Sequence, residues 1–435
     1  MDPKTVSECL GIQTDGHLTI GGCDTVRLAK EYGTPLYVMD ETTIRNALRS
    51  FRTSMEQHYP NGFSVSFASK ACSFKEMYRI VNEEQCTADV VSLGEMYTAL
   101  QAGFPAEKLY FHGNNKTAYD LETAIGYGVG HYVVDNRSEL LRLSRIAAMH
   151  QAQVKVLLRI TPGIDAHTHD FVKTGQIDSK FGFTLETGEA LQAVGEALSL
   201  PNLTLCGVHC HIGSQIFDEK PFAHAADVML RFMAQIRDTY GVTLEELDLG
   251  GGFGIRYTDA DEPLPYGEYM ALVSDTLHNT AKELNYPMPR IVIEPGRSIV
   301  ASAGITLYEI GHVKHIPGIR TYVNVDGGMA DNPRYALYHA DYTAIVANKA
   351  DMAPTETVTI AGRCCESGDL IQEHTSLQPC EEGDILAVLA TGAYNYSMAS
   401  HYNRLPNPPV VMIRNGKARL VVKGESYKDL CRNDI

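Results

Sequence analysis

No apolar run in the chain approaches the length of a membrane-spanning helix, and the opening Met1-Asp-Pro-Lys-Thr lacks the basic start and apolar core of a secretion signal. Blocks of like charge are missing too. The net charge of −16 is spread along the sequence, which argues against binding to nucleic acid or an anionic membrane. Ten cysteines in 435 residues are too sparse for a disulfide framework and, without a secretion signal, read as free thiols of a reducing cytoplasm. There is no CxxC or HExxH spacing, so no metal site is expected, although His209 and His211 share a strand face and His167 and His169 make a second pair. Internal repeats and low-complexity segments are also absent. What remains is an ordinary cytoplasmic globular protein, 44% apolar and 21% charged, with room for two domains.

From Leu36 onward, short β-rich runs alternate with helical patterns at an even spacing. The strand candidates are 65–69, 88–92, 109–112, 132–135, 154–160, 206–212, 247–249 and 291–293. Stretches such as Ser138–Ala148 and Ala226–Ile236 carry helical periodicity between them, and Ser73 reads as the cap of the helix after the first run. Eight strands each followed by a helix predict a (β/α)8 TIM-like barrel, about 260 residues long and spanning 37–304. A doubly wound open sheet is the alternative, but it usually has fewer strands. After about residue 304 the helical periodicity fades into β-type runs. The last two, 410–413 and 418–422, flank Asn415-Gly416, a strong two-residue hairpin signal. Residues 305–435 therefore predict an all-β domain that also takes up the N-terminal 1–36, with its strand Leu18-Thr-Ile20.

The polar residues gather where the barrel strands end, which is where barrel enzymes assemble their sites. Lys70 ends the first strand, and a partly desolvated amine there loses its proton readily enough to form a Schiff base. Taken alone it is an ordinary loop lysine. Leu249-Gly-Gly-Gly-Phe-Gly254, with Gly251 and Gly252 at its centre, follows the seventh run, and three glycines let backbone N–H groups converge on a single phosphate. Ser214 could add a hydroxyl. Glu294-Pro295-Gly296-Arg297 places an anion and a cation around a rigid turn. It is either a salt-bridged corner or a carboxylate for a pyridine nitrogen beside a guanidinium for phosphate or carboxylate. His211 could stack on a planar cofactor. In the β-domain, Asp326–Tyr338, Arg363–Asp369 and Gly392–Asn403 are polar loops that could each be unremarkable.

Together and in this order, from about Pro35 to about Asn407, these segments resemble the fold-type III pyridoxal-phosphate decarboxylases. The resemblance implies a barrel plus β-domain, a head-to-tail homodimer with shared active sites, and pyridoxal 5'-phosphate as cofactor. It matches Lys70 to the lysine that carries the cofactor, Asp89 to an acid near that linkage, and His211 to the residue stacked on the ring. Ser214, Gly251, Gly252, Glu294, Pro295, Gly296 and Arg297 match cofactor-binding positions, with Glu294 on the ring nitrogen. Cys365 matches a proton donor contributed by the partner subunit, and Tyr394 a contact to cofactor and substrate.

The segment Asp170–Gly182, with Arg334, Tyr338 and Glu366, resembles the branch that acts on meso-2,6-diaminopimelate, in which Arg297 also meets substrate. The implied reaction removes CO2 from the D-configured centre and gives L-lysine, the last step of lysine biosynthesis. Two alternatives stand beside it. The first is the same chemistry on ornithine, arginine or carboxynorspermidine, which Arg334 disfavours because a distal amine would be repelled. The second is a non-catalytic cofactor-binding regulator, which intact Lys70, Glu294 and Cys365 disfavour.

Overall fold

Alternation in Phe63-Ser-Val-Ser-Phe-Ala sends every second side chain inward and makes the first strand of a parallel barrel, Phe63–Ala68. The computed structural model describes residues 2–164 and 178–435. Its chain divides into two units, one comprising Leu48–Gly254 and Pro263–Gly296, the other Met1–Ala47, Ile255–Glu262 and Arg297–Ile435. In the first unit the remaining barrel strands are Thr87–Val90, Leu109–Phe111, His131–Val134, Val154–Thr161, Leu203–His209, Glu246–Asp248 and Arg290–Ile293. All neighbours pair in parallel, and the fourth strand pairs with the fifth to close the ring. This is an eight-stranded (β/α)8 barrel, and each expected strand lies within a few residues of its place. Ser73 does not cap the following helix, Lys75–Glu83, whose N-cap is Phe74. Its hydroxyl instead lies 3.1 Å from the Tyr78 hydroxyl.

The two-residue period builds the barrel interior in layers. Near the strand starts, Tyr110 donates to Glu246 Oε1 (3.1 Å), and Arg290 donates to Glu246 Oε2 (2.6 Å) and to Ser64. Tyr110 also packs with Val133, Leu157 and Val292 in a cluster at most 1% exposed. Two residues further along three of these strands stand His112, Asp248 and Glu294. The pattern that buries an apolar middle thus delivers three ionisable groups to the opposite end.

The second unit is built on the thirteen-residue strand Gly304–Ile316. Its first half pairs antiparallel with Leu36–Asp40 and with Ile385–Leu389, and its second half pairs with Arg320–Val325. Val410–Arg414 joins parallel to Leu36–Asp40, and Lys417–Val422 returns through Asn415-Gly416, both at positive φ as a tight hairpin turn requires. Leu36–Asp40 is buried throughout and has β-neighbours on both of its edges. It therefore belongs to the β unit, and the barrel unit comprises Leu48–Gly254 and Pro263–Gly296 where 37–304 was expected. Leu18–Ile20 lies in the β unit but in a separate three-stranded sheet with Leu10–Ile12 and Cys23–Asp24. No helix among the described residues is long and apolar enough to cross a membrane.

Candidate active site

The first and last barrel strands end against one another. Ala68 N–H donates to the Pro295 carbonyl at 3.2 Å, and a Cβ on Gly296 would stand 2.7 Å from that of Ala68. Glycine is needed there because the two strand ends touch. Lys70 follows at once in the short helical turn Ser69–Ala71, and its side chain is exposed in the single chain. Its charge acts on Asp89, Glu95 and His211.

Glu294 is 7% exposed and lies between two histidines. His209 Nε2 bonds its Oε2 at 3.2 Å, while His112 Nε2 approaches its Oε1 at 2.9 Å, close but poorly aligned for a hydrogen bond. Burial alone would raise this carboxyl, but His112 and His209 outweigh it and hold the group well below the usual range. Asp89 and Asp248 move the other way. Burial, reinforced by the neighbouring Glu294 charge, pushes both well up. One oxygen of Asp89 has no partner among the described residues. Burial drives His211 well down, helped by the Lys70 charge.

The glycine run owes its composition to packing. A Cβ on Gly250 would meet the Cys210 carbonyl at 2.5 Å, one on Gly251 the Glu294 carbonyl at 2.0 Å, and one on Gly252 the Gly213 carbonyl at 2.5 Å. Only glycine lets the loops after the sixth, seventh and eighth strands converge. Gly250 N–H donates to Asp248 and Gly251 N–H to His211 Nδ1, whereas the Gly252 N–H has no partner among the described residues.

In the β unit, Tyr257 lies between two buried arginines. Arg297 donates to its hydroxyl at 2.7 Å, and the Arg334 guanidinium stands 5.0 Å from its ring. Arg334 also donates to the Tyr342 hydroxyl at 2.9 Å, and that hydroxyl receives a second bond from Asn395. Burial would raise the Tyr257 phenol, yet the two guanidiniums outweigh it and move it below its ordinary value. Burial also works against the Arg334 charge, but the Tyr257 and Tyr342 phenols prevail and raise it. Among the described residues no carboxylate pairs with Arg334. Tyr394 stacks 4.9 Å from the Arg297 guanidinium, on a backbone at positive φ that a tyrosine adopts at a cost.

The structure thus joins Lys70, Asp89, His211 and Glu294 at one end of the barrel, and Arg297, Arg334 and Tyr394 in the β unit. Cys365 and Glu366 form no hydrogen bond or ion pair with the arginines. Both are exposed on a loop organised by Asp369, which accepts from Met329 N–H and Cys364 N–H, each at 2.6 Å. Cys364 is buried, and that burial, with Asp369 beside it, pushes its thiol up to about 12. Cys365 is the accessible thiol of the pair. Tyr338 ends the short helix Arg334–Tyr338, half-buried. His167, His169 and residues 170–177 of the Asp170–Gly182 segment lie outside the described residues. His112, Asp248, Tyr257 and Tyr342 were not singled out in the sequence, and His209 was noted only for sharing a strand face with His211. For His112 the signal was its place at a strand end before Gly113-Asn-Asn115.

A closed parallel barrel with a lysine, buried acids, histidines and a glycine-built loop at the carboxyl ends of its strands defines a (β/α)8 enzyme with its site at that face. Residues 41–301 match the family described as "Pyridoxal-dependent decarboxylase, pyridoxal binding domain". The chain belongs to this family. It is 49% identical to the diaminopimelate decarboxylase of Bacillus subtilis, over 97% of this chain and 95% of that one. It is 43% identical to the Staphylococcus aureus protein of the same name, over 97% of this chain and 98% of the relative. The crystal structure of diaminopimelate decarboxylase from M. jannaschii in co-complex with L-lysine superposes with a TM-score of 0.91 at 33% identity, covering 100% of this chain and 99% of the other.

Proposed function

We propose that this protein removes CO2 from meso-2,6-diaminopimelate to give L-lysine, using pyridoxal phosphate, as a cytoplasmic homodimer with shared active sites. The residues present fit that cofactor. An amine follows the first strand's end, a carboxyl held toward its charged form lies buried after the last strand, and the Gly252 N–H, without a partner among the described residues, lies in the loop packed against the Gly213 carbonyl. When bound, pyridoxal phosphate supplies an electron sink for the charge left on the carbon that loses its carboxylate.

The chain supplies the rest. Lys70 would hold the cofactor covalently through its amine. Asp89 stands close enough to feel the Lys70 charge, and His211 offers its ring as a stacking face. Glu294 would face the ring nitrogen and favour its protonated form. Ser214, Gly251, Gly252 and the Pro295-Gly296 turn hold the phosphate end. Cys365 of the neighbouring protomer gives a proton to the reacting carbon from its exposed Sγ, with Lys70 as the second donor.

The observation that carries the substrate is Arg334, a cation 7% exposed with phenols but no carboxylate around it among the described residues. A distal carboxylate completes it by two parallel hydrogen bonds, while Arg297, Tyr338, Tyr394 and Glu366 meet the remaining substrate groups. The test is CO2 release from meso-diaminopimelate, ornithine, lysine and arginine by purified protein, beside its visible spectrum before and after borohydride. Release from diaminopimelate alone is expected. A protein with no visible band, or one that prefers ornithine, would overturn the proposal.

A further inference from the structure

Three buried carboxylates meet at the barrel mouth, and they do not behave alike. Asp89 and Asp248 are pushed toward their neutral forms, and Glu294 toward its charged form. The difference in surroundings is geometric. Glu294 alone has a separate histidine nitrogen on each oxygen, His112 at 2.9 Å and His209 at 3.2 Å, with the two rings T-shaped and 5.0 Å apart. The histidines come from different strands, the third and the sixth, and both are at most 5% exposed. Neither has room to swing away.

We propose that His112 and His209 are positioning residues that clamp Glu294 in its ionised form, so that the proton it shares with the ring nitrogen of a bound pyridine cofactor stays on nitrogen. The inference rests on the reading that Glu294 faces that nitrogen. A carboxylate alone in this interior would take up the proton, because burial disfavours its charge. The pair would then be a carboxylic acid against a neutral pyridine, which withdraws electrons less well.

The clamp works because the histidines are neutral. Burial drives His112 down and His209 down to about 4, so each carries one ring N–H. With that hydrogen on Nε2, His209 donates to Oε2 and His112 points its N–H dipole at Oε1 from 2.9 Å off the hydrogen-bond line, and neither neutralises the charge left for the pyridinium. Of the other groups facing Glu294, Asp89 and Asp248 oppose its charge and Arg159 supports it, while His211 lies within reach of the same field. Burial pushes both acids toward the neutral form, which weakens their opposition to the Glu294 charge.

The test uses holoenzyme loaded with pyridoxal phosphate labelled with 15N in the ring, read by solid-state NMR between about pH 6 and 9. Wild type should show a protonated nitrogen throughout. In His112→Leu/His209→Leu the ratio of protonated to unprotonated nitrogen should fall by about tenfold or more, equivalent to about one pH unit of lost differential stabilisation. The kcat should fall with it and KM should change little. His209→Gln keeps an N–H near the same place and should restore the protonated signal. Should the double leucine variant not fold, His209→Leu and His209→Gln make the same comparison singly.

A nitrogen still protonated in folded leucine variants would overturn the clamp, as would an unprotonated nitrogen in wild type. The four groups His112, His209, Asp248 and Glu294 lie close enough to surround a cation. A stoichiometric divalent ion in the purified enzyme, lost in these variants, would therefore also overturn it. If wild type retains no pyridoxal phosphate at all, the functional reading fails instead, which is a separate result.

Discussion

Replacing Arg334 by leucine should separate catalysis from folding. The side chain is 7% exposed, donates one hydrogen bond to Tyr342 and stands over the Tyr257 ring, and no described carboxylate balances its charge. A diaminopimelate carboxylate would receive two charge-assisted bonds from it, each worth roughly 1.5–3 kcal/mol. Losing both costs about 3–6 kcal/mol, which lowers kcat/KM by roughly 10²–10⁴. Ornithine and lysine lack that carboxylate, so their turnover should hardly change and the preference for diaminopimelate should collapse. The fold should not suffer in proportion. A buried cation without an anion is a poor contributor to stability, and leucine there should be neutral or mildly stabilising. Steady-state kinetics on the three substrates and a thermal melt of each protein decide the matter. Normal diaminopimelate turnover in Arg334→Leu would refute the reasoning, and so would an equal loss for all three substrates accompanied by a lower Tm.

Lys70→Ala should fold normally yet show no borohydride-sensitive visible band and almost no turnover, and a retained band would assign the covalent link to another lysine. Lys70→Ala and Cys365→Ala should each be inactive, but unfolded, mixed and refolded together they should recover activity through heterodimers with one intact site. Heterodimers without activity would count against sites shared between protomers. Because burial places the folded His209 pKa at about 4 rather than 6.5, the unfolded chain binds the extra proton, and stability should fall as pH drops from about 6.5 to 4. The full effect is of the order of 3 kcal/mol. His209→Gln should flatten that slope in denaturant melts taken across the window, and an unchanged slope would mean that the imidazole titrates normally.

Much of the barrel was legible because its signals are local. Phe63-Ser-Val-Ser-Phe-Ala alternates within one strand, and the even spacing of eight such runs leaves little choice but a closed parallel ring. The same locality put Lys70 and Glu294 at strand ends. It also exposed the hairpin at Asn415-Gly416, whose two residues alone accept the turn's positive φ. Leu36–Asp40 was misplaced for the converse reason. A strand buried on both faces reads the same whichever sheet receives it, and its partners, Gly304–Leu307 and Val410–Ile413, are hundreds of residues away. His112 and Asp248 were hidden likewise, as was the place of His209 beside them. Each is an ordinary polar residue at a strand end, and only the ring's closure brings them around Glu294. Tyr257 becomes notable only when the fold sets it between Arg297 and Arg334. The sequence by itself determined the periodicities, the strand ends and the residue types offered there, since these depend on neighbours along the chain. The tertiary structure decided which carboxylate keeps its charge and which cation is ringed by phenols, because burial and opposing charges act through space between residues that the chain holds far apart.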